Sequence, residues 1–148
     1  MTESYVERNR ETWSELSQEF AKTAEREWAG DPVWGIFLIP EADVQFFPGD
    51  VAGLDTIELG CGTAYVSAWL SRLGAKPIGI DVTPEQLETA RQMQSKFGIS
   101  FPLVEGNAEA TPFADASCDL VVSEYGASIW CDPFKWIPEA YRLLRPGG

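Results

Sequence analysis

The chain has 148 residues, 45% of them hydrophobic and 12% aromatic, with 11 basic side chains against 23 acidic ones, a formal net charge of −12 and no histidine. Such a length and hydrophobic share suit one globular domain rather than a disordered chain. The missing imidazole excludes Ser-His and Cys-His catalysis and removes the commonest transition-metal ligand, while the acidic balance repels phosphate backbones and anionic lipid surfaces, so neither a metal nor nucleic acid is expected.

Residues 1–11 are polar and mixed in charge, and no run of about 18 apolar residues occurs, so neither a secretion signal nor a membrane span is expected. From Ser4 to Trp28, the apolar residues Val6, Trp13, Leu16, Phe20, Ala24 and Trp28 recur at helical spacing, and Ser4 with Glu7 has the form of a capping box. Glu3, Glu7, Glu11, Glu15 and Glu19 make a stripe that is read as a solvated face. Between Ala29 and Gly53, turn formers alternate with Trp34, Ile36, Phe37, Phe46 and Phe47. That segment is too apolar for a linker and too broken for a long helix, so it is expected to lie over the body of the domain.

From Asp55 the pattern changes. Strands are predicted at Thr56–Leu59, Pro77–Asp81, Phe101–Val104 and Leu120–Ser123, with helices at Ala64–Leu73, from Pro84 to about Phe97, and at Ile137–Leu144. Thr83 with Gln86 has the form of a second capping box, Gly98 is placed to end that helix, and Pro138 is expected to break or restart the last one. Alternating strands and helices with short connections predict parallel βαβ units and an α/β three-layer sandwich. Cys61, Cys118 and Cys131 are odd in number and widely spaced, which fits no disulfide framework or CxxC pair and points to a reducing, cytoplasmic compartment.

The first strand runs into Glu58-Leu59-Gly60-Cys61-Gly62-Thr63-Ala64, a glycine turn that lets a ligand approach the backbone at the carboxyl edge of the sheet. A dinucleotide fingerprint would need a third glycine where Tyr65 stands, which disfavours NAD or FAD. The shorter form, acidic-x-G-x-G, is matched by Glu58, Gly60 and Gly62. With Gly79-Ile80-Asp81, with Asp81 21 residues after Gly60, with Gly106-Asn107-Ala108-Glu109-Ala110-Thr111-Pro112-Phe113, and with Arg145-Pro146-Gly147-Gly148, the chain from Asp55 to Gly148 resembles the class I S-adenosylmethionine-dependent methyltransferases of the small-molecule type.

The resemblance implies a Rossmann-like, mostly parallel sheet of strand order 3-2-1-4 over residues 54–148, preceded by a helical lid over residues 1–53. It implies that the Gly60-Cys61-Gly62 turn meets the methionine part of S-adenosyl-L-methionine and that Glu58 orients its ammonium group. Asp81 would hold the ribose, Val82 the adenine face, and Asn107 with Ala108 and Glu109 the adenine edge. Asn107 stands where the family usually has Asp; its carbonyl can accept the same bond as a neutral group. Ala64 replaces a usual glycine and is tolerated if its φ is negative.

Ser123, Glu124 and Tyr125 end the fourth strand, where the methyl group or acceptor would be met. Glu124 is a base, a substrate anchor or a simple strand cap, and Tyr125 a hydrogen-bond donor. Phe20, Trp34 and Phe37 either shape an apolar acceptor pocket or are core aromatics, and Cys61 is read as a small residue in a tight turn rather than a nucleophile. The expected activity is methyl transfer to a small molecule, leaving S-adenosyl-L-homocysteine. Relatives continue past the RPGG turn with further strands, so the alternative is a non-catalytic cofactor-binding fragment, with Leu120-Val121-Val122 as an apolar edge open to self-association.

Overall fold

Ser4 opens the first helix as expected: its hydroxyl accepts from the Glu7 N–H at 3.3 Å, and the Glu7 carboxylate accepts from the Ser4 N–H at 3.0 Å. This is a computed structural model, and it describes residues 4–148. Helix α1 (Tyr5–Ala29) buries Ser17, Ala24 and Trp28. Glu7, Glu11, Glu15 and Glu19 face solvent, and Glu3 lies outside the described residues. No helix among the described residues is long and apolar enough to cross a membrane.

The broken segment that follows forms a small antiparallel hairpin, β1 (Val33–Trp34) with β2 (Ile39–Pro40), and a short helix α2 (Glu41–Val44). Glu41 gathers it. Its carboxylate accepts from the Trp34 indole N–H and from the backbone N–H groups of Phe46 and Phe47.

The main sheet contains β3 (Asp55–Leu59), β4 (Lys76–Asp81), β5 (Leu103–Glu105) and β6 (Leu120–Val122) in the order β5-β4-β3-β6, all parallel. This is the expected 3-2-1-4 order. Helices α3 (Tyr65–Arg72) and α4 (Pro84–Phe97) connect the first strands, and α5 (Ala127–Trp130) and α6 (Pro133–Leu143) follow the last. Because successive strand residues face opposite sides, Ile57, Leu59 and Ile80 pack with Ala140 and Leu143 of α6 on one face. On the other, α1, α3 and α4 share a core in which Trp28 stacks on Phe101 with ring centroids 5.8 Å apart.

Some local expectations are corrected. The third strand starts two residues late, at Leu103, where pairing with Gly79 of β4 begins. Thr83 and Gln86 form no capping box: Asp81 takes the Thr83 N–H at 2.8 Å, and the Gln86 side chain is buried instead. Pro138 does not break the last helix, which is continuous from Pro133. Asp132 caps it through the Phe134 N–H, and burial of Ala140 and Leu143 holds it across the one ladder bond that proline omits.

Beyond β6 the chain returns through a bridge of Leu144 to Cys118, and Arg145 reaches Asp119 at 2.8 Å and Asp55 at 2.9 Å. The RPGG turn is thereby clamped to the starts of β3 and β6.

Candidate functional site

The site is built at the carboxyl end of β3 and β4. The N–H groups of Gly60 and Cys61 both donate to the Ile80 carbonyl at 2.9 Å, which folds the turn sharply back across β4. Gly60 has φ +72°, and a Cβ there would lie 2.7 Å from the Ala127 nitrogen and 2.9 Å from the Gly126 Cα. Only glycine fits. Gly62 has φ +53°, and its bare face meets only the Gln86 Oε1, at 3.9 Å.

Ala64 contradicts the condition set for it. Its φ is +60°, because the turn enters α3 through a left-handed residue whatever its side chain, at a cost of about 1 kcal/mol. The methyl group is fully buried in the core shared by α1, α3 and α4.

Asp81 terminates β4 with both carboxylate oxygens engaged: Oδ2 accepts from the Gly62 N–H at 2.8 Å and Oδ1 from the Thr83 N–H. Burial raises its pKa above the ordinary carboxylate value, with those hydrogen bonds working against the rise. The carboxyl thus ties the glycine turn to the start of α4.

Above these groups opens a cavity of about 750 Å³. Gly60, Cys61, Gly62, Asp81 and Val82 line it, as do Asn107 and Ala108 from the loop after β5. Glu124, Tyr125 and Phe20 line it as well. The Asn107 Oδ1 accepts from the Glu109 N–H at 2.9 Å, which shapes that loop.

Five of the expected site residues stand elsewhere. Glu58 does not reach the cavity. It points from the sheet face toward α3, where its Oε2 accepts from the Ser67 N–H at 2.8 Å and the Ser67 hydroxyl at 2.6 Å, and burial pushes its pKa up to about 8. Glu109 turns away to accept from the Tyr5 hydroxyl and, at 2.8 Å, from the Asp132 N–H, clasping α1 to the start of α6. Ser123 is spent between strand ends, donating to the Leu59 carbonyl at 2.9 Å and accepting from the Ser128 N–H at 3.1 Å.

Trp34 is a core aromatic, edge-on to Trp69 and only 8% exposed, and Phe37 projects into solvent at 82% exposure. Their neighbours Ile36 and Leu38 line the cavity, although both are also largely exposed, at 77% and 62%.

Of the three aromatics read as pocket wall or core, Phe20 lines the cavity, Trp34 is core and Phe37 is neither. The sequence also gave no notice of Trp130, whose short helix α5 brings it to Trp13, with ring centroids 5.1 Å apart and planes at 83°. Trp13 precedes Phe20 by two helical turns, and that spacing was the available signal for a shared wall.

Glu124 and Tyr125 hold the hairpin over the cavity. The Glu124 Oε1 accepts from the Gly35 N–H at 2.8 Å and its Oε2 from the Tyr65 hydroxyl; the Tyr125 hydroxyl accepts from the Ile36 N–H at 3.1 Å. Burial and the facing Glu124 carboxylate both raise the Tyr65 pKa, which keeps that phenol a donor. Tyr125 sits at φ +52°, a left-handed conformation that aims its ring back at the hairpin.

Residues 57–148 match the family model described as a methyltransferase domain. The demethylmenaquinone methyltransferase of Lactococcus lactis is 36% identical over 106 residues, covering 68% of this chain and 41% of that protein. The malonyl-[acyl-carrier protein] O-methyltransferase of Pectobacterium atrosepticum is 32% identical over 98 residues, 66% of this chain and 37% of that protein. The chain therefore spans less than half the length of these relatives. A SAM dependent methyltransferase from Aquifex aeolicus shares the fold, with a TM-score of 0.63 at 22% identity over 72% of this chain and 58% of that one. With the methyltransferase-domain model matching more than half of its length, the chain belongs to the methyltransferase-domain family of class I S-adenosylmethionine-dependent methyltransferases.

Proposed function

We propose that this chain binds S-adenosyl-L-methionine in the cavity above Gly60–Gly62 and serves methyl transfer to a small-molecule acceptor. The observation that carries the reading is the Gln86 side chain. Its residue is 4% exposed, its Oε1 has no hydrogen-bond partner, and it lines the cavity facing the bare side of Gly62. A buried acceptor left unpaired costs about 1–3 kcal/mol, so a polar ligand with a donor at that point fits the site. The cavity also falls within the range of roughly 300–1,000 Å³ usual for such ligands.

In this reading the Gly60-Cys61-Gly62 backbone lies against the methionine part, Asp81 takes the ribose hydroxyls, and Val82, Asn107 and Ala108 meet the adenine. The Asn107 Oδ1 already takes one bond, and a carbonyl oxygen has a second lone pair for the exocyclic amine. Glu58 acts from beneath, fixing the first turns of α3 through Ser67, and does not touch the ligand. When bound, the sulfonium supplies an electrophilic methyl group, so the protein's work is alignment and exclusion of water, and a chain without histidine can do both. Helix α1 and the β1–β2 hairpin act as the lid, latched by Glu124 and Tyr125.

Calorimetric titration with S-adenosyl-L-homocysteine tests the reading. Saturable binding that is lost in Asp81→Ala is expected; absence of binding at millimolar ligand, or equal binding by the variant, would overturn it.

A further inference from the structure

Resting on that reading of the cofactor, we propose that Gln86 determines specificity at the ribose: its Oε1 accepts a hydrogen bond from one of the two vicinal hydroxyls, while Asp81 takes the other.

The buried polar groups lead there. Among the described residues, five buried side-chain polar atoms have no hydrogen-bond partner, on Thr56, Thr83, Gln86, Ser117 and Trp136. Of these residues only Thr83 and Gln86 line the cavity. The Thr83 hydroxyl can turn its proton to the Asp81 carboxylate, against which it stands. An amide oxygen has no proton to turn. The Gln86 Oε1 is therefore an acceptor that the folded chain leaves empty, on a residue only 4% exposed.

Packing supplies no reason for a glutamine at this position. Gln86 lies in the first turn of α4 beside Leu87, which is wholly buried in the core shared with α1 and α3. A methionine or leucine would fill the same space without taking an amide out of water.

Gly62 fixes what the empty acceptor faces. Its N–H donates to the Asp81 Oδ2 at 2.8 Å, and a Cβ on the same residue would stand 3.9 Å from the Gln86 Oε1. Two acceptors, one on each side, thus flank the second glycine of the turn, and both residues line the cavity. A ribose brings two donors on neighbouring carbons. Asp81 already serves the Gly62 and Thr83 N–H groups, so a second acceptor beside it lets both hydroxyls be met without crowding them onto one carboxylate.

The choice of an amide follows from the same neighbour. Burial already raises the Asp81 pKa, and a carboxylate at position 86 would set a second negative charge next to it. A neutral carbonyl oxygen accepts the hydroxyl without that cost.

The test compares S-adenosyl-L-homocysteine with its 2′-deoxy and 3′-deoxy analogues by calorimetric titration of the native protein, Gln86→Met and Gln86→Leu. We expect each variant to bind S-adenosyl-L-homocysteine about tenfold more weakly than the native protein. For the one analogue that lacks the hydroxyl held by Gln86, native protein and variants should bind within about twofold, which also identifies that hydroxyl. Without ligand, the variants should unfold at the same urea concentration as the native protein or a higher one, because the unpaired acceptor is gone. A residue that only supported the fold would lower that midpoint. Unchanged affinity of the variants for S-adenosyl-L-homocysteine, an equal loss for all three ligands, or a lowered ligand-free midpoint in both variants would overturn the proposal while native binding stands. Absence of binding by the native protein would instead overturn the cofactor reading, and this proposal with it.

Discussion

Glu58 and Ser67 form a two-point contact inside the core: one carboxylate oxygen accepts both the backbone N–H and the hydroxyl of a residue nine positions on. Burial raises the Glu58 pKa to about 8 despite these bonds, so the folded chain holds a proton there that the unfolded chain releases near the ordinary carboxylate value. Its stabilising share is fully present below that ordinary value and is lost as pH rises through about 8. Thermal melts across pH 5 to 9 should show the native protein losing stability relative to Glu58→Gln, which cannot ionise. Parallel pH profiles for the two proteins would refute this.

The two glycines of the turn should separate folding from binding. Gly60→Ala places a methyl group 2.7 Å from a backbone nitrogen at a positive φ, so a loss of more than about 2 kcal/mol is expected in urea unfolding. Gly62→Ala meets only a side-chain oxygen at 3.9 Å, so its cost should stay near the left-handed backbone penalty of about 1 kcal/mol. Its methyl group nevertheless projects toward Gln86, and S-adenosyl-L-homocysteine affinity should fall.

Trp28 connects the first helix to the site. It is wholly buried, stacks on Phe97 and Phe101, and donates its indole N–H to the Thr63 carbonyl at 2.8 Å. Trp28→Phe should cost about 1–3 kcal/mol by leaving that carbonyl unpaired, and Trp28→Ala about 3–5 kcal/mol through the cavity it opens. Both are read from denaturant midpoints.

Thiol labelling reports on ligand entry. Cys61 and Cys118 are buried, while Cys131 is partly exposed and lines the cavity, with burial raising its pKa to about 11. A maleimide should therefore label Cys131 first and slowly, and S-adenosyl-L-homocysteine should slow it further. Labelling of Cys61 ahead of Cys131 in the folded protein would contradict the structure.

Much of this was legible in the linear order of residues. Strand and helix alternation, the Ser4–Glu7 cap, the Gly60–Gly62 turn and the strand-end Asp81 are local features whose spacing reflects hydrogen bonds made within a few residues or one βαβ unit. For the same reason Gly98 could be placed at the end of α4.

Other features depended on partners far along the chain. Glu58 matched the family position yet is claimed by Ser67; Glu109 matched and is claimed by Tyr5 and Asp132; Ser123 is claimed by Leu59. Which carboxylate faces a ligand and which faces a helix is decided by the side of the sheet it leaves from and by the donor that arrives there first. Motif spacing carries neither fact.

The segment between α1 and β3 shows the same division. Its apolar composition led to the expectation that it lies over the body of the domain, but it did not reveal that Trp34 sinks into the core while Ile36, Phe37 and Leu38 all stay exposed at the hairpin turn. The absence of histidine, visible in the composition, leaves the polar work in the cavity to carboxylates, phenols and side-chain amides such as those of Gln86 and Asn107. Their gathering, with Glu124 bridging Gly35 and Tyr65 across residues far apart in sequence, came from tertiary packing alone, because charge has no preferred spacing along a chain until the fold sets which side chains share a wall.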